Sequence, residues 1–455
     1  MVILAIVLSS STLSLFAQVK TYSLLNLIDS ANHYLPVLLQ KKAVTDAAKA
    51  NITDTRHSFL PQLKFGEQLD IGSVNSAAGA SFNFVTTSSL SGGIRGENNL
   101  QPVTSNVAVL YSEYELLSFG FKDAKINSAR SYVDLAASDL NKEQYFITLN
   151  IAKLYFSILK NQSRLKADQQ NIERYQNIYT VIQALTLSGI KAGADSSLAK
   201  AELSKTKISY NQTSGTINQL KEQLAYLTGI PARFLTIDTL TINAISHKPV
   251  AIDFTSDTVN NPLINYYIKR KDIFTANQKL IQKSYLPKIL LAGSSWARGS
   301  SIQYNDQYKA LTNGIGYQRF NYAIGVAFTY DLFNNIYKRD KLNINRYQLQ
   351  ASDYELQQQK LALSSSALQA DNALQTTMAN LDELPVQLQS ATDTYQQKLA
   401  QYKAGIISLI DLTNASFVLY RSQTDYIETL NDWYQAQLDK AAATGNLFQF
   451  IQTIK

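Results

Sequence analysis

Two long stretches of the chain have the apolar spacing of helices and lack the residues that end a helix. Residues 122–187 contain neither proline nor glycine, and at about 1.5 Å per residue one helix of that length would extend on the order of 100 Å. A later stretch has side chains spaced alternately 4 and 3 residues apart, which predicts a coiled-coil seam, with a kink at Pro385. The seam comprises Leu374, Met378, Leu381, Pro385, Leu388, Thr392, Tyr395, Leu399 and Tyr402.

A shorter stretch, residues 319–331, alternates bulky apolar side chains with small or polar ones. This period of two predicts a strand that has one face in lipid and the other toward a lumen. A half-buried strand on a soluble core would alternate in a similar way. Lipid contact is the preferred interpretation, because the pattern occurs together with aromatic strand ends. The residues expected on the lipid face are Tyr322, Ile324, Val326, Phe328 and Tyr330.

Weaker alternation predicts three more strands, at about residues 62–71, 104–117 and 287–297. The segments between paired strands, residues 72–102 and 299–318, are rich in Gly, Ser and Asn and suit loops on an external face. Four strands cannot close a membrane barrel, because the smallest barrels have about eight strands and an open edge in lipid leaves backbone groups without partners. The chain is therefore expected to oligomerise in order to complete its sheet.

The same order of elements occurs twice along the chain. Pro36 and Pro61 are 25 residues apart, as are Pro262 and Pro287, and an Ala-Asn pair occupies the same place in both intervals. Pro61 and Pro287 are expected to end a helix, since proline lacks a backbone donor and restricts the residue before it. A first repeat over residues 18–240 and a second over 241–455 each predict a helix, two strands and a long helical hairpin.

Two further matches between the repeats locate the tips of the hairpins. Residues 114–117 (YELL) correspond to residues 330–333 (YDLF), and residues 191–193 (KAG) correspond to residues 403–405 (KAG). Glycine commonly ends a helix. We therefore expect turns near residues 189–197 and 403–411, with Gly193 and Gly405 at the tips.

The first residues of the chain form a long apolar run. Residues 2–16 carry no charge and precede Ala17, a small residue of the kind at which a signal peptidase cuts. The run is too short for a membrane anchor. We expect residues 1–17 to be a signal peptide and the remaining chain to be exported.

Composition argues against most enzymatic chemistry. The 455 residues include no cysteine and only His33, His57 and His247 as histidines, so no catalytic site or metal site is expected. Phosphate-loop and nucleophile-elbow motifs are also missing. The formal charge of +7 could suit nucleic acid, but Lys and Arg are dispersed and a solvated surface is the preferred interpretation. We expect no enzyme activity, no cofactor and no nucleic-acid partner.

Several short motifs follow one another along the chain in a specific order and spacing. They are the Leu-Pro before the first strand of each repeat, the YDLFN of residues 330–334, Tyr402-x-x-Gly405 followed by Ile410-Asp411-Leu412, and the final Ala436-x-Leu438 and Ala442-x-x-Gly445-x-Leu447. Taken together, these motifs resemble the TolC family of outer-membrane efflux proteins, and the resemblance covers nearly the whole chain after residue 17.

The resemblance implies a fold that is mainly α with a β-barrel contribution. Three chains would form one barrel of about 12 strands in the outer membrane of a Gram-negative cell, in contact with its lipid. The hairpins would form a coiled-coil tunnel in the periplasm. A periplasmic membrane-fusion adaptor would dock at the tips, and an inner-membrane pump of the RND or ABC class would feed the channel.

The resemblance also implies that the tips close the channel. Tyr402, three residues before the tip glycine, and Asp411, six residues after it, match the family pattern. A symmetric ring of Asp411 carboxylates would favour cations at a constriction, while a helix-capping role is the alternative. Asn414 replaces a second acidic residue of some relatives. In the first repeat Ala199 is matched with Asp411, and Asp195 lies nearby.

Three functional hypotheses follow. The preferred one is a passive outer-membrane duct that exports small toxic molecules together with an adaptor and a pump. The second is the outer-membrane conduit of a type I protein secretion system, and the third is a coiled-coil structural protein of the envelope. The strands and the glycine tips favour a duct, and nothing in the sequence identifies the exported compound.

Overall fold

The computed structural model describes residues 21–76, 94–190, 192–237 and 260–454. The expected signal peptide, residues 1–17, lies outside the described residues. The helices of the described part are α1 (Leu24–Tyr34), α2 (Pro36–His57), α3 (Phe121–Leu187), α4 (Gly193–Thr228), α5 (Pro262–Ser284), α6 (Asn334–Lys403), α7 (Leu409–Thr444) and α8 (Leu447–Thr453). The strands are β1 (Thr21–Tyr22), β2 (Gln62–Gly72), β3 (Val103–Leu117), β4 (Thr236–Ile237), β5 (Lys288–Ser300), β6 (Ile302–Gln303), β7 (Gln307–Tyr308) and β8 (Arg319–Thr329).

Contacts divide the chain into two compact units, and each unit draws segments from both sequence repeats. The first unit comprises Met1–Thr45, Leu135–Lys269 and Ser352–Lys455, and the second comprises Asp46–Asp134 and Arg270–Ala351.

Within the described ranges, no helix combines the length and the apolar character that crossing a membrane requires.

The second unit contains an antiparallel four-stranded sheet in the order β2-β3-β5-β8. The four predicted strands are therefore present. The helices before β2 and β5 end at His57 and Ser284, just ahead of Pro61 and Pro287, as the local effect of proline predicts. Among the described residues, β2 and β8 each have a sheet neighbour on one side only, so both are edges of the sheet.

The register of the sheet determines which side chains share a face. Phe65 pairs with Leu110, Leu110 with Ser295, and Ser295 with Tyr322, and directly paired residues point to the same side. The face that carries the bulky residues of β8 therefore also carries those of β2. The opposite face has the row Lys64, Tyr111, Ser294 and Ala323.

The first unit is built around an apolar core to which six helices contribute. Leu27 and Ala31 of α1, Ile151 of α3, Leu224 of α4 and Leu438 of α7 are all fully buried in it. Helix α2 adds Leu38, and helix α8 adds Phe450 and Ile451. The short strands β1 and β4 pair in parallel next to this core. Burial of one apolar stripe per helix is what stabilises long helices of weak intrinsic preference.

The predicted seam on α6 is wrong at one position. The helix continues through Pro385, whose side chain is exposed, while Leu384 is buried against Leu430 and Trp433. From Leu381 through Leu384 to Leu388 the spacing is therefore 3 and then 4, whereas the predicted order over this interval is 4 and then 3. Proline lacks the donor of a helical hydrogen bond and its ring crowds the preceding turn, so the neighbouring leucine is the better seam residue.

The return helices of the two hairpins are equal in length, since α4 and α7 both contain 36 residues. Each ends at a glycine with positive φ, Gly229 at 73° and Gly445 at 81°. The amide of each glycine donates to the carbonyl oxygen four residues earlier. Their surroundings differ, because a Cβ on Gly229 would overlap the ring of Tyr34.

We predict that Gly229→Ala is more destabilising than Gly189→Ala. Gly189 has the same kind of positive φ, 74°, but nothing lies within 4 Å of the place that a Cβ would take, so its replacement costs only about 1–2 kcal/mol of backbone strain. Gly229→Ala adds a clash with the ring of Tyr34 and should cost about 1–3 kcal/mol more. Thermal unfolding of the detergent-solubilised protein measures both, and equal losses of stability would contradict the expectation.

Candidate functional site: the hairpin tips

Both hairpins turn through the same backbone conformation. After α3 the turn uses Gly189, and after α6 it uses Gly405, each with φ of 74°. The amide of the following residue, Ile190 or Ile406, donates to the carbonyl five residues earlier at 2.9 Å in both cases. This 6→1 hydrogen bond defines a Schellman-type helix end, in which glycine is favoured because it has no Cβ.

This geometry corrects the sequence match between the tips. Gly189, and not Gly193, is the counterpart of Gly405, because Gly189 and Gly405 both have positive φ and follow the first helix of their hairpin, α3 or α6. Gly193 is the first residue of α4. The two turn glycines are 216 residues apart, as are Gly229 and Gly445, so no insertion separates the hairpins between these points. The match based on the shared KAG tripeptide was therefore displaced by four residues, from Gly189 to Gly193.

The corrected match also changes the counterpart of Asp411. Asp195 and Asp411 are each the third residue of their return helix, so Asp195 takes the place that the sequence match assigned to Ala199. Ala199 corresponds to Ala415 instead, and both alanines are buried. Each tip therefore begins its return helix with an acidic residue, where the positive end of the helix dipole favours negative charge.

The two tips differ in how this acidic residue is held. Ser408 and Asp411 form a capping box: the amide of Ser408 donates to Oδ2 of Asp411 at 3.1 Å, and the amide of Asp411 donates to Oγ of Ser408 at 3.3 Å. The Ser408 hydroxyl also donates to the carboxylate at 2.6 Å. In the first tip, Ala192 occupies the cap position and has no side-chain hydrogen bond.

The capping box perturbs the titration of Asp411. Hydrogen bonds from the hydroxyl and then from the amide of Ser408 lower the pKa of Asp411, and Lys398 acts in the same direction. The capping alternative for Asp411 is thus present in the geometry. Asn414 lies one turn further along α7 and is exposed. A gate role for either residue stays a prediction.

An apolar cluster holds the two hairpins together next to the tips. Tyr402 is buried in this cluster, and its pKa is raised by burial and then by the nearby carboxylate of Asp195. The hydroxyl of Tyr175 donates to the carbonyl of Thr413 at 3.4 Å. The cluster comprises Tyr175, Ile178, Ile182, Ala199, Leu203, Tyr402, Leu409 and Leu412.

The ends of both tips expose apolar side chains that the sequence reasoning missed. Leu187 and Ile190 project from the first tip, and Ile406 and Ile410 from the second, all largely exposed. The signal in the sequence for these exposed apolar ends is the isoleucine that directly follows each turn glycine. Each tip thus combines a buried apolar side, which joins the hairpins, with an exposed apolar end.

The residues expected on the lipid face lie in the other unit, on β8. Tyr322 and Ile324 are 86% and 77% exposed in the single chain, and Val326 and Phe328 are also exposed. Tyr330 lies one residue beyond the end of the strand and is the least exposed of the five. Contact with lipid stays a prediction for these side chains.

Residues 21–76, 94–190, 192–237 and 260–454 contain no group of three or more His, Asp or Glu side chains that could hold a metal ion. The acidic residues of the tips are instead used locally. Asp411 accepts hydrogen bonds within its capping box, and Asp195 lies near Tyr402.

Comparisons with known proteins agree with this architecture. The family model described as "Outer membrane efflux protein" matches residues 27–230 and 258–446. The cobalt-zinc-cadmium resistance protein CzcC of Cupriavidus metallidurans is 20% identical over 328 residues, which cover 70% of this chain and 72% of CzcC.

Solved structures resemble the chain over most of its length. The outer membrane protein VceC of Vibrio cholerae has a TM-score of 0.73 at 14% identity and covers 93% of this chain and 96% of its own. The CmeC outer membrane channel of Campylobacter jejuni has a TM-score of 0.71 at 16% identity and covers 95% of this chain and 89% of its own. These likenesses confirm the predicted fold class of long helical hairpins with four strands per chain.

We predict that Ser408→Ala loosens the start of α7 and leaves the start of α4 unchanged. The substitution removes the cap of the second tip, whereas Ala192 already lacks one. Because the pKa of Asp411 is lowered in the folded protein, its stabilising contribution is present at neutral pH and is lost as the pH falls through the lowered value. Hydrogen exchange at neutral pH should accelerate at residues 409–412 only. Unchanged exchange there, or an equal change at residues 193–196, would contradict this expectation.

Proposed function

We propose that this chain, which belongs to the outer membrane efflux protein family, is a homotrimeric exit duct of an efflux system that spans the cell envelope. The chain is an outer-membrane protein with a periplasmic helical part. In the proposed assembly, three copies join their four-stranded sheets into one barrel, and their hairpins enclose a continuous passage. The duct conducts its cargo passively, and an energised partner drives transport.

The open sheet is the observation that supports this proposal most directly. Strands β2 and β8 leave a row of backbone donors and acceptors on each outer edge. The apolar side chains of these two strands are at least 59% exposed. In lipid every backbone group needs a protein partner. Pairing β2 of one copy with β8 of the next satisfies both edges at once and gives a closed ring.

The face composition of the sheet supports the same arrangement. The face with Phe65 and Tyr322 is apolar at both edges and suits contact with the acyl chains of lipid. The opposite face has Lys64, Gln68 and Asp70 on β2, which suit a water-filled lumen. An apolar outside and a polar inside are typical of transmembrane barrels.

The partners and the cargo follow from the tips and from the family. The exposed Ile190 and Ile406 give each tip an apolar end on which a periplasmic membrane-fusion adaptor can dock. An inner-membrane pump of the RND or ABC class would deliver the cargo. The name of CzcC assigns resistance to cobalt, zinc and cadmium to that relative, and we place this chain in the same broad role, the export of toxic small molecules, without naming its compound.

We assign the closure of the duct to the tips. Tyr402 lies in the buried cluster that joins the two hairpins of one chain, and Asp195 of the other hairpin is close enough to raise its pKa. Asp411 is exposed at the start of α7, where it can face its two symmetry copies. Three carboxylates near one axis would favour cations and repel anions. Asn414 and the glycines 193 and 405 complete the proposed gate region.

The edge pairing predicts a specific pattern of cross-linking. The chain has no cysteine, so a pair of introduced cysteines reacts without background. Gln68→Cys on β2 is combined in turn with Asn321→Cys, Ala323→Cys, Gly325→Cys or Ala327→Cys on β8, all on the proposed lumen face. For at least one pair, oxidation should give a covalent trimer on a denaturing gel, because each copy links to both neighbours.

The single-cysteine variants are the matched controls and should remain monomers or reach dimers only. A ladder longer than a trimer, or dimers as the largest product of every pair, would contradict a closed ring of three. Failure of all four pairs to cross-link in membranes would contradict the proposed pairing of β2 with β8.

The proposed gate predicts that Asp411→Ala increases the closed-state conductance in planar bilayers several-fold, because both the carboxylate ring and the capping box are lost. Ser408→Ala separates the two effects, since it removes the cap and keeps the charge. If the ring matters, cation selectivity falls in Asp411→Ala and not in Ser408→Ala.

Asp393→Ala is the matched control for removal of a carboxylate, because Asp393 is exposed on α6 away from the turn. It should leave both conductance and selectivity unchanged. A closed-state conductance of Asp411→Ala equal to that of the original protein would count against the gate assignment.

A further inference from the structure

The seam of α3 changes its chemistry along the helix. Its inward positions follow each other at alternating intervals of 4 and 3 residues, and all are buried or half-buried. The positions next to the tip are apolar, while those before them are polar. The seam comprises Ser157, Asn161, Arg164, Asp168, Asn171, Tyr175, Ile178 and Ile182.

Polar contacts connect this part of α3 to α7, which runs antiparallel beside it. Arg164 forms an ion pair with Glu428 at 3.1 Å. Further from the tip, the side-chain amide of Gln435 donates to the carbonyl of Lys153 at 3.1 Å. Between the Arg164 pair and the tip cluster lies Asp168, which is 1% exposed.

Three hydroxyl groups from two other helices converge on the carboxylate of Asp168. Thr213 of α4 donates to Oδ2 at 2.6 Å, and Ser209 of α4 donates to Oδ1 at 3.2 Å. Tyr420 of α7 donates to Oδ1 at 2.5 Å. The hydroxyls of Ser209 and Tyr420 are also within 3.2 Å of each other. One buried carboxylate thus connects α3, α4 and α7.

The three hydroxyls that donate to Asp168 are neutral groups. Arg164 and Arg174, about one and two turns from Asp168 on α3, have other partners: Arg164 pairs with Glu428, and Arg174 donates to Asn171 and Gln423. Burial and then the hydrogen bond with Asp168 raise the pKa of Tyr420, so its hydroxyl keeps the proton that it donates. A buried carboxylate that loses a donor must take up water or a proton.

The hydrogen bonds of Asp168 fall into two kinds. Those from Ser209 and Thr213 lie within the first hairpin, because α3 and α4 are its two arms. The bond from Tyr420 connects that hairpin to the second one. If α7 moves away from α3 and α4, Tyr420 is withdrawn from the carboxylate while Ser209 and Thr213 stay bound.

A polar junction of this kind suits a reversible movement. Separation of an apolar seam exposes side chains to water at a cost proportional to their area. A carboxylate and a phenol hydroxyl can instead be hydrated once they are apart. Separating them therefore costs less free energy than separating an apolar seam. The paired state still has a strong preference for one arrangement, because hydrogen bonds to charged groups are short and directional.

We propose that Asp168 and Tyr420 form a latch that holds α7 against the first hairpin and thereby keeps the tips in their closed arrangement. The latch consists of Asp168, Tyr420, Ser209 and Thr213, and both named residues act as positioning residues for the gate. The inference rests on the proposed channel function for its effect on conductance. Its structural part, the contact between the hairpins, is testable without any channel activity.

The test uses a single reporter cysteine in the full-length protein. Ala199 is fully buried in the tip cluster, and the chain contains no other thiol. In Ala199→Cys, the rate of reaction with a small water-soluble maleimide therefore reports how often the hairpins separate near the tips. The same detergent-solubilised preparations are then reconstituted into planar bilayers for conductance measurements.

Tyr420→Phe removes one hydroxyl and keeps the ring, and Asp168→Asn removes the charge at nearly constant shape. Each should raise the labelling rate of the reporter several-fold and increase the closed-state conductance. Thr213→Val removes a hydroxyl within the first hairpin and should change the labelling rate far less than Tyr420→Phe. Tyr226→Phe, at an exposed tyrosine of α4, is the matched control and should equal the original protein.

The outcomes separate the latch from the proposed channel function. Unchanged labelling in Tyr420→Phe would overturn the latch even if Asp168→Asn fails to fold. Equal acceleration by Thr213→Val and Tyr420→Phe would also overturn it, because the effect would then be general loss of packing. If labelling accelerates while the closed-state conductance is unchanged in these variants and in Asp411→Ala, the contact between the hairpins stands and the proposed gate at the tips fails.

Discussion

The unpaired backbone groups on the two edges of the four-stranded sheet are the constraint on which the rest of this molecule depends. An isolated sheet with bulky apolar side chains on β2 and β8 is unfavourable in water, because the side chains are exposed, and in lipid, because the edges are unsatisfied. Two changes together resolve both problems: lipid covers the apolar face, and each edge pairs with another copy. The proposed trimer would meet this requirement.

The helical unit answers a different requirement of the proposed duct, which must hold long hairpins together and, in our proposal, let their tips part. The change of seam chemistry along α3 suits this requirement. An apolar core anchors the base through residues such as Ile151, and a smaller cluster around Tyr402 joins the hairpins at the tips. The buried polar stretch around Asp168 lies between them, and there contact between the hairpins depends on hydrogen bonds instead of apolar area.

Local signals in the sequence predicted the helices and strands well. They were less successful in showing which individual residues correspond between the two repeats or lie in the seam. Pro61 and Pro287 end helices through an effect on their own backbone, so the helix ends were predictable from the sequence. Gly193 was matched to the wrong partner, because a shared tripeptide carries no information about which glycine has positive φ. Pro385 was placed in the seam, although Leu384 supplies the buried side chain. Both errors concern the choice between neighbouring positions.

The sequence by itself determined the family resemblance, the twofold repeat, the four strands and the long hairpins, because spacing and proline act over a few residues. Only the tertiary structure showed that Asp195 is the counterpart of Asp411, that Ser408 caps α7, and that Asp168 lies among hydroxyls of two other helices. Ser209 and Tyr420 are far from Asp168 along the chain, so no local pattern reveals their meeting. Such contacts exist only after the helices have packed and water has been excluded from between them.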